Sequence, residues 1–317
     1  MAIGIDPTVD YAFKLLLGNP QHPSITLHFL NAILGDQAQI TEIEIINPIL
    51  GQQDDLDKLS ILDVAARDST GRQYDIEMQT SLPAGLRQRL AYYTASMYVG
   101  QMSEGDLYTG LRPAISICVL DAVMFAQTPD IHSDFRLRSR NAELDLTDNL
   151  QIHILELPKY AVPSDNRVIS DPIEAWLYFF CRADEMTTEE IKQRFNSPAF
   201  SEAAEILNMI QRTPKQRSQY ELRLKAQRDD QARLQHARAE GEAKGRAEGE
   251  AKGRAEGEAK GRAEGEAKGR AEGELAGQIK LLYQLLGKEA SSLDGLSNDE
   301  LGSLMNDLKK ELRDRGT

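Results

Sequence analysis

The sequence predicts a mixed α/β domain that gives way, in its last third, to a repetitive helix. Three observations predict it. Residues 73–80, QYDIEMQT, alternate between apolar and polar side chains, as a strand does. Residues 114–120, AISICVL, form a continuous apolar run, the pattern of a strand buried on both faces. From Pro214 the composition shifts to Gln, Arg, Ala and Glu, and GEAKGRAE then occurs four times in succession over 241–272.

The elements follow in order. Asp6-Pro7-Thr8 supplies a polar cap and a first-turn proline for a helix through VDYAFKLLLG. It ends at Gly18, with Val9, Phe13, Leu16 and Leu17 as its buried face. Asp10 stands one turn before Lys14, the spacing of a surface i,i+4 ion pair. Pro23-Ser24-Ile25 opens a second helix that ends near Gly35. Residues 39–46 alternate and read as the first strand, and 52–57 as an acidic loop. Two strands, 59–67 and 73–80, flank the turn cluster Asp68-Ser69-Thr70-Gly71, where glycine admits a positive φ. A helix over about 84–102 carries Leu86, Leu90, Tyr93 and Met97 on one face, and the buried strand 114–120 comes next.

The second half of the domain is read the same way. In 134–140, DFRLRSR, a strand would set Arg136, Arg138 and Arg140 on one side. The ordinary reading is the charged face of an edge strand; a phosphate-tracking stripe is the alternative. Residues 151–157 are a further strand, in which His153 reads as a satisfied sheet histidine with no second histidine nearby. After Pro172 the chain turns helical over 172–182, 187–195 and 198–212, and this part completes the domain.

Charge bounds the function. The net charge is −13. Residues 1–211 carry 15 basic and 30 acidic side chains, whereas 212–238 carry 8 basic and 3 acidic. An anionic body of this kind does not coat nucleic acid indiscriminately. It can meet DNA only if cations neutralise its centre and the basic segment steers the phosphates. Cys118 and Cys181 sit in apolar contexts without disulfide or zinc spacing. Neither a basic leader with a long apolar run nor eighteen consecutive apolar residues is present, so a cytoplasmic setting is expected.

The chemistry concentrates in 58–79, KLSILDVAARDSTGRQYDIEMQ. Tyr74, Ile76 and Met78 take one face of the second strand; Asp75, Glu77 and Gln79 take the other. Asp63 interrupts the apolar run SILDVA, and a carboxylate there needs a partner, since burying it alone costs several kcal/mol or more. Across the hairpin Asp63 can face Glu77 and Gln79, bringing hard oxygens together in a site suited to Mg²⁺.

Asp63, thirteen residues, then Glu77-Met78-Gln79 on consecutive strands resembles the PD-(D/E)XK nuclease core, and the element order helix, strand, strand, strand, helix, strand agrees with it. The D…ExQ form is similar to the Rpn family of recombination-promoting nucleases, also described as transposases. DYAFK resembles that family's opening D-x-x-F-K, and Gln88…Tyr92 fits a Q-x-x-x-Y spacing of nuclease relatives. The segment RLAYYTASMYVGQMSEGDLYTGL likewise resembles the family through Arg89, Tyr93, Tyr98, Gln101, Gly105 and Tyr108.

The resemblance implies a metal-dependent DNA endonuclease linked to recombination or transposition. Asp63, Glu77 and Gln79 would be catalytic, with Asp63, Glu77 and Asp10 as metal ligands, for Mg²⁺ or alternatively Mn²⁺. Lys58, Gln88, Arg89 and Tyr92 would bind the substrate. The superfamily's general pattern has Lys where this chain has Gln79; Gln cannot act as a base, and Lys58 is the substitute cation the sequence offers. A second reading is a nuclease-like scaffold that no longer cuts and binds DNA or protein as an assembly module. Strand-transfer activity of a true transposase has no separate signal in the sequence.

The remainder divides into a spacer, 213–274, and a tail, 275–317, after the nuclease-like domain 1–212. In the repeat, Glu242 can meet Arg246 and Lys244 can meet Glu248; about fifteen such pairs at ~0.3–0.5 kcal/mol give roughly 5–7 kcal/mol. Ten glycines, recurring every fourth residue from Gly241 to Gly277, cost about 1 kcal/mol each. The spacer is therefore a marginal helix in isolation. A period of four spirals around a helix of 3.6 residues per turn, so no long coiled-coil seam is specified. The tail regains apolar periodicity, with Ser297 and Glu300 as a capping box, and reads as a helical hairpin for docking or assembly. DNA is the implied partner, with a second copy of the chain through the repeat or tail.

Overall fold

The computed structural model describes residues 1–35, 39–46 and 63–314. Lys58 and the acidic loop 52–57 lie outside the described residues, as do 59–62 of the expected hairpin. Contact density divides the chain into two compact units, Met1–Gln235 and His236–Thr317.

The first unit is built on a six-stranded sheet. Its strands are β1 (Ile43–Ile45), β2 (Val64–Asp68), β3 (Gln73–Gln79), β4 (Ala114–Leu120), β5 (His132–Arg138) and β6 (Asp145–Glu156), in the order β1-β2-β3-β4-β6-β5. The pairs β1–β2, β2–β3 and β5–β6 are antiparallel, while β3–β4 and β4–β6 are parallel. β4 is buried at all seven positions, as its apolar run requires of a central strand.

Helices cover both faces. α1 (Asp10–Leu17), α2 (Pro23–Leu34), α4 (Pro172–Arg182) and α6 (Pro198–Arg212) share a large core with Val64, Tyr74, Ile76, Ile117 and Leu155, and its aromatic centre is Trp176, Phe179, Phe180 and Phe200. On the other face, Leu86 and Leu90 of α3 (Leu86–Val99) pack on Cys118, Leu120 and Ile154. Between α4 and α6 lies α5 (Thr188–Arg194), whose Thr187–Glu190 capping box is complete in both directions.

Several expectations are corrected. α1 begins at Asp10 rather than beside Asp6, because the Asp6 carboxylate accepts from Thr8 N at 2.8 Å and forms a separate turn ahead of the helix. β1 keeps only three residues of the 39–46 run. Asp63 does not lie within a strand: it sits in a bend, and β2 starts at Val64. β3 is buried on both faces, because α3 closes over its acidic side. α3 spans Leu86–Val99 and buries Leu86, Leu90 and Thr94, so its fully buried stripe is narrow, with Tyr93 and Met97 half-buried.

On the edge strand β5, Arg136 pairs with Asp134 and Asp148, and Arg138 pairs with Asp145. Register shifts between Arg136 and Leu137 and between Leu137 and Arg138 break the regular alternation, and Arg140 lies past the strand. The expected arginine stripe is thus an ion-paired, bulged edge. His153 does have a second histidine: His132 on β5 lies with Nε2 3.0 Å from His153 Nδ1, and burial pushes His153 down to about 4.

α7 (Pro214–Leu285) is one continuous helix, without a break at 274, and α8 (Asn298–Asp314) follows. Its first turns belong to the first unit, where buried Tyr220 receives a hydrogen bond from Asp6 N at 3.0 Å and Gln231 donates to Thr80 O at 3.1 Å. In the second unit, nothing among the described residues lies within 4 Å of where a Cβ would stand on the repeat glycines. Ile279, Leu282 and Leu286 pack against Leu301 and Leu308, and Ser297 and Glu300 cap α8 reciprocally. Among the described residues no helix is long and apolar enough to cross a membrane.

Candidate active site

The site forms where the β2–β3 hairpin meets α1 and α3. The hairpin turn is fixed by Asp68, whose Oδ1 accepts from Thr70 N, Thr70 Oγ1 and Arg72 N, and by Gly71 at φ 88°. That turn sets the register Val64 opposite Ile76, so Asp63, one step beyond, comes opposite Glu77. Asp63 Oδ2 accepts from Met78 N at 3.2 Å.

Parity then sorts β3. Tyr74, Ile76 and Met78 enter the large core. Asp75 and Glu77 turn toward α3, 0% and 3% exposed, beside Ser116 and Cys118 of β4. Ser116 Oγ donates to Asp75 Oδ2 at 2.9 Å, while Asp75 Oδ1 is buried without a hydrogen-bond partner among the described residues. Glu77 Oε2 accepts from Gln79 Nε2 at 3.2 Å and from Arg89 Nη2 at 3.4 Å. Arg89, from the first turn of α3, lies over the Tyr93 ring at 5.9 Å.

α1 contributes a cation that the sequence reading treated as a surface partner. Lys14 Nζ lies 2.9 Å from Asp10 Oδ1 and 3.1 Å from Asp63 Oδ1. Arg223 of α7 lies 3.9 Å from Asp10 Oδ2. The charges run Arg223, Asp10, Lys14, Asp63, Glu77, Arg89. Their signs alternate except at Asp63 and Glu77, where two acids adjoin.

Electrostatics register that break. Burial, and then the Asp63 charge, push the Glu77 carboxyl up to about 7, with Arg89 and Lys14 opposing. Burial, followed by the charge of Glu77, holds Asp75 well above the carboxylate range. Asp63 is raised by burial against the pull of Lys14. Burial would lower Lys14, but Asp63 and Asp10 together outweigh it and raise the ammonium.

The described part of the chain therefore brings Asp63, Glu77, Gln79 and Arg89 together, with Asp10 joined to them through Lys14. Gln88 is exposed and Tyr92 is 61% exposed, its ring 6.1 Å from that of Tyr93. Neither is drawn into the carboxylate cluster by a hydrogen bond. Lys14 was missed because its spacing to Asp10 explains it locally; its second contact spans 49 positions and has no local signal.

A family model described as PD-(D/E)XK nuclease family transposase matches residues 7–237. The chain belongs to that family. The match takes in the whole sheet, α3 and the docked start of α7, and it ends close to the boundary between the two compact units. No curated protein and no solved structure matched. A PD-(D/E)XK nuclease family transposase has a nuclease-like function, with DNA as the substrate that a nuclease implies.

The donors of this family member fit a hard divalent ion in kind: Asp63 and Glu77 are anionic oxygens whose mutual repulsion a cation would relieve. They stand as a pair. Among the described residues no cluster of three or more His, Cys, Asp and Glu side chains is placed to hold a metal ion.

Proposed function

We propose that the chain is a metal-dependent DNA endonuclease linked to recombination or transposition. The observation that carries this reading is the adjoining pair Asp63 and Glu77, a partly buried and a buried acid at the end of the β2–β3 ladder, in a member of a PD-(D/E)XK nuclease family. Asp63 and Glu77 would hold Mg²⁺ or Mn²⁺. When bound, such an ion polarises the phosphate and acidifies a water.

The chain's own groups do the rest. Gln79 orients Glu77 through its amide and, as a neutral group, positions the attacking water by hydrogen bonding without taking its proton. Arg89 keeps Glu77 aligned and offers positive charge at the edge of α3. Gln88 and Tyr92, exposed on that helix, would meet the DNA strand. Hydrolysis adds water across one P–O ester bond: the water oxygen bonds to phosphorus, the ester P–O bond breaks, and the protons pass to the leaving alkoxide and to solvent.

The test is phosphodiester cleavage with Mg²⁺ by the full-length protein and by Asp63→Ala and Glu77→Ala. Loss of cleavage in both variants supports the reading, and an unchanged rate in either one refutes it. A second reading, a scaffold that no longer cuts, is favoured by Gln79, which cannot act as a base. Calorimetry separates the two, since an inert scaffold has no need of a tight Mg²⁺ or Mn²⁺ site.

A further inference from the structure

Lys14 is set unlike a surface lysine. Two acids from different parts of the chain, Asp10 on α1 and Asp63 before β2, approach its Nζ at 2.9 and 3.1 Å. An ammonium has three N–H donors. Two are directed at these carboxylates, and the side chain keeps 21% of its surface open, so the third can reach an incoming oxygen.

At the position where the superfamily pattern has lysine stands Gln79, a neutral amide whose Nε2 is directed at Glu77. Arg89 lies on the α3 side of the cluster and also serves Glu77. A phosphodiester approaching Asp63 and Glu77 meets two negative side chains, and a positive donor beside Asp63 offsets that repulsion. Lys14 is such a donor, and Asp10 fixes its direction. Asp10 is itself flanked by Arg223 at 3.9 Å, so its two oxygens face two cations.

We propose that Lys14, reaching in from α1, is the cation that contacts the scissile phosphate in place of a lysine at position 79, and that Asp10 positions Lys14 rather than ligating the metal. This rests on the endonuclease reading above and deepens it. It gives the opening D-x-x-F-K segment a chemical task. The ligand it would take is a phosphate diester oxygen, bound by a charge-assisted hydrogen bond.

The experiment compares the full-length protein with Lys14→Gln, Asp10→Asn and the double variant Lys14→Gln/Gln79→Lys. Mg²⁺ affinity is measured by calorimetry without DNA, and cleavage under single-turnover conditions with Mg²⁺ saturating. The expected result is that Lys14→Gln binds Mg²⁺ at least as tightly as the parent yet cleaves on the order of 100-fold more slowly. Moving the cation in the double variant should restore about tenfold of that loss. Asp10→Asn should keep Mg²⁺ affinity within about threefold and cleave roughly tenfold more slowly, the effect of a misaimed donor.

Lys14→Gln cleaving at the parent's rate would overturn the proposal. So would a fall in Mg²⁺ affinity that accounts for the whole loss of rate, because Lys14 would then only hold Asp63 in place. If Lys14→Gln does not melt cooperatively, Asp10→Asn decides: a large loss of Mg²⁺ affinity makes Asp10 a ligand and sinks the idea. A parent protein that binds Mg²⁺ but does not cut any DNA fails the endonuclease reading itself, whereas an active parent with an indifferent Lys14→Gln fails this inference alone.

Discussion

Replacing Glu77 by glutamine should stabilise the metal-free protein at alkaline pH while abolishing cleavage. Glu77 is 3% exposed, and its carboxyl is raised from 4.5 to about 7, chiefly by burial and then by Asp63. At about 1.4 kcal/mol per pKa unit, holding it ionised in the fold costs on the order of 3 kcal/mol. Glutamine removes the charge at nearly constant shape. Its two N–H donors must find partners in the same buried place, which offsets about 1 kcal/mol. The net gain is about 2 kcal/mol, or ~4–8 °C in Tm for a unit of this size.

The sign follows from linkage. A carboxyl whose folded pKa is raised binds more protons folded than unfolded between pH 4.5 and about 7, so stability falls as pH rises through that window. The penalty is absent below about pH 4.5 and complete above about pH 7. Melts of parent and Glu77→Gln in chelator should therefore show the variant about 2 kcal/mol more stable at pH 8 and up to about 1 kcal/mol less stable near pH 4.5, where only the cost of the amide donors remains. A variant no more stable than the parent at pH 8, or stabilised equally at both, would refute the electrostatic account of the site.

Other outcomes follow from the same geometry. Adding Mg²⁺ or Mn²⁺ at 100 times Kd should raise the parent's stability by about 2.7 kcal/mol and leave Asp63→Ala unmoved, read by thermal melts. Arg89→Ala should destabilise by ~1–3 kcal/mol in urea titrations at pH 8 and by less near pH 4.5, because Glu77 loses the cation beside its charge. Truncation after Gln235 should leave a cooperative melt and cleavage within about threefold, since the compact unit Met1–Gln235 holds every contact of the cluster. Retained cleavage in Asp63→Ala would argue against any role for the carboxylate pair.

The sequence was most readable where local chemistry decides the structure. The run 114–120 could only be a buried strand, and β4 is one. Thr187–Glu190 and Ser297–Glu300 announce helix starts, because a capping box satisfies orphan donors within four residues. The Asp68–Gly71 turn sets the hairpin register, which carries Asp63 to Glu77 without further help.

What escaped needed distant partners. Alternation in β3 cannot say that α3 closes over its acidic side, because the fully buried stripe of α3 is only Leu86, Leu90 and Thr94. The His132–His153 contact depends on how β5 and β6 pair across 21 positions. Lys14 had a sufficient local partner in Asp10, so nothing in its neighbourhood pointed to Asp63. The continuity of α7 through residue 274 was hidden because the repeat and the tail are both helical, and composition alone drew a border between them.

The six-member ladder from Arg223 to Arg89 has a consequence for how substitutions here combine. Asp10 and Lys14 are each held from both sides by opposite charges, so deleting one frees its companions to re-pair. Single alanine losses along the ladder will then total more than the loss from removing several members together, and double-mutant cycles between Asp10 and Asp63 should return large coupling energies, because both carboxylates hold Lys14.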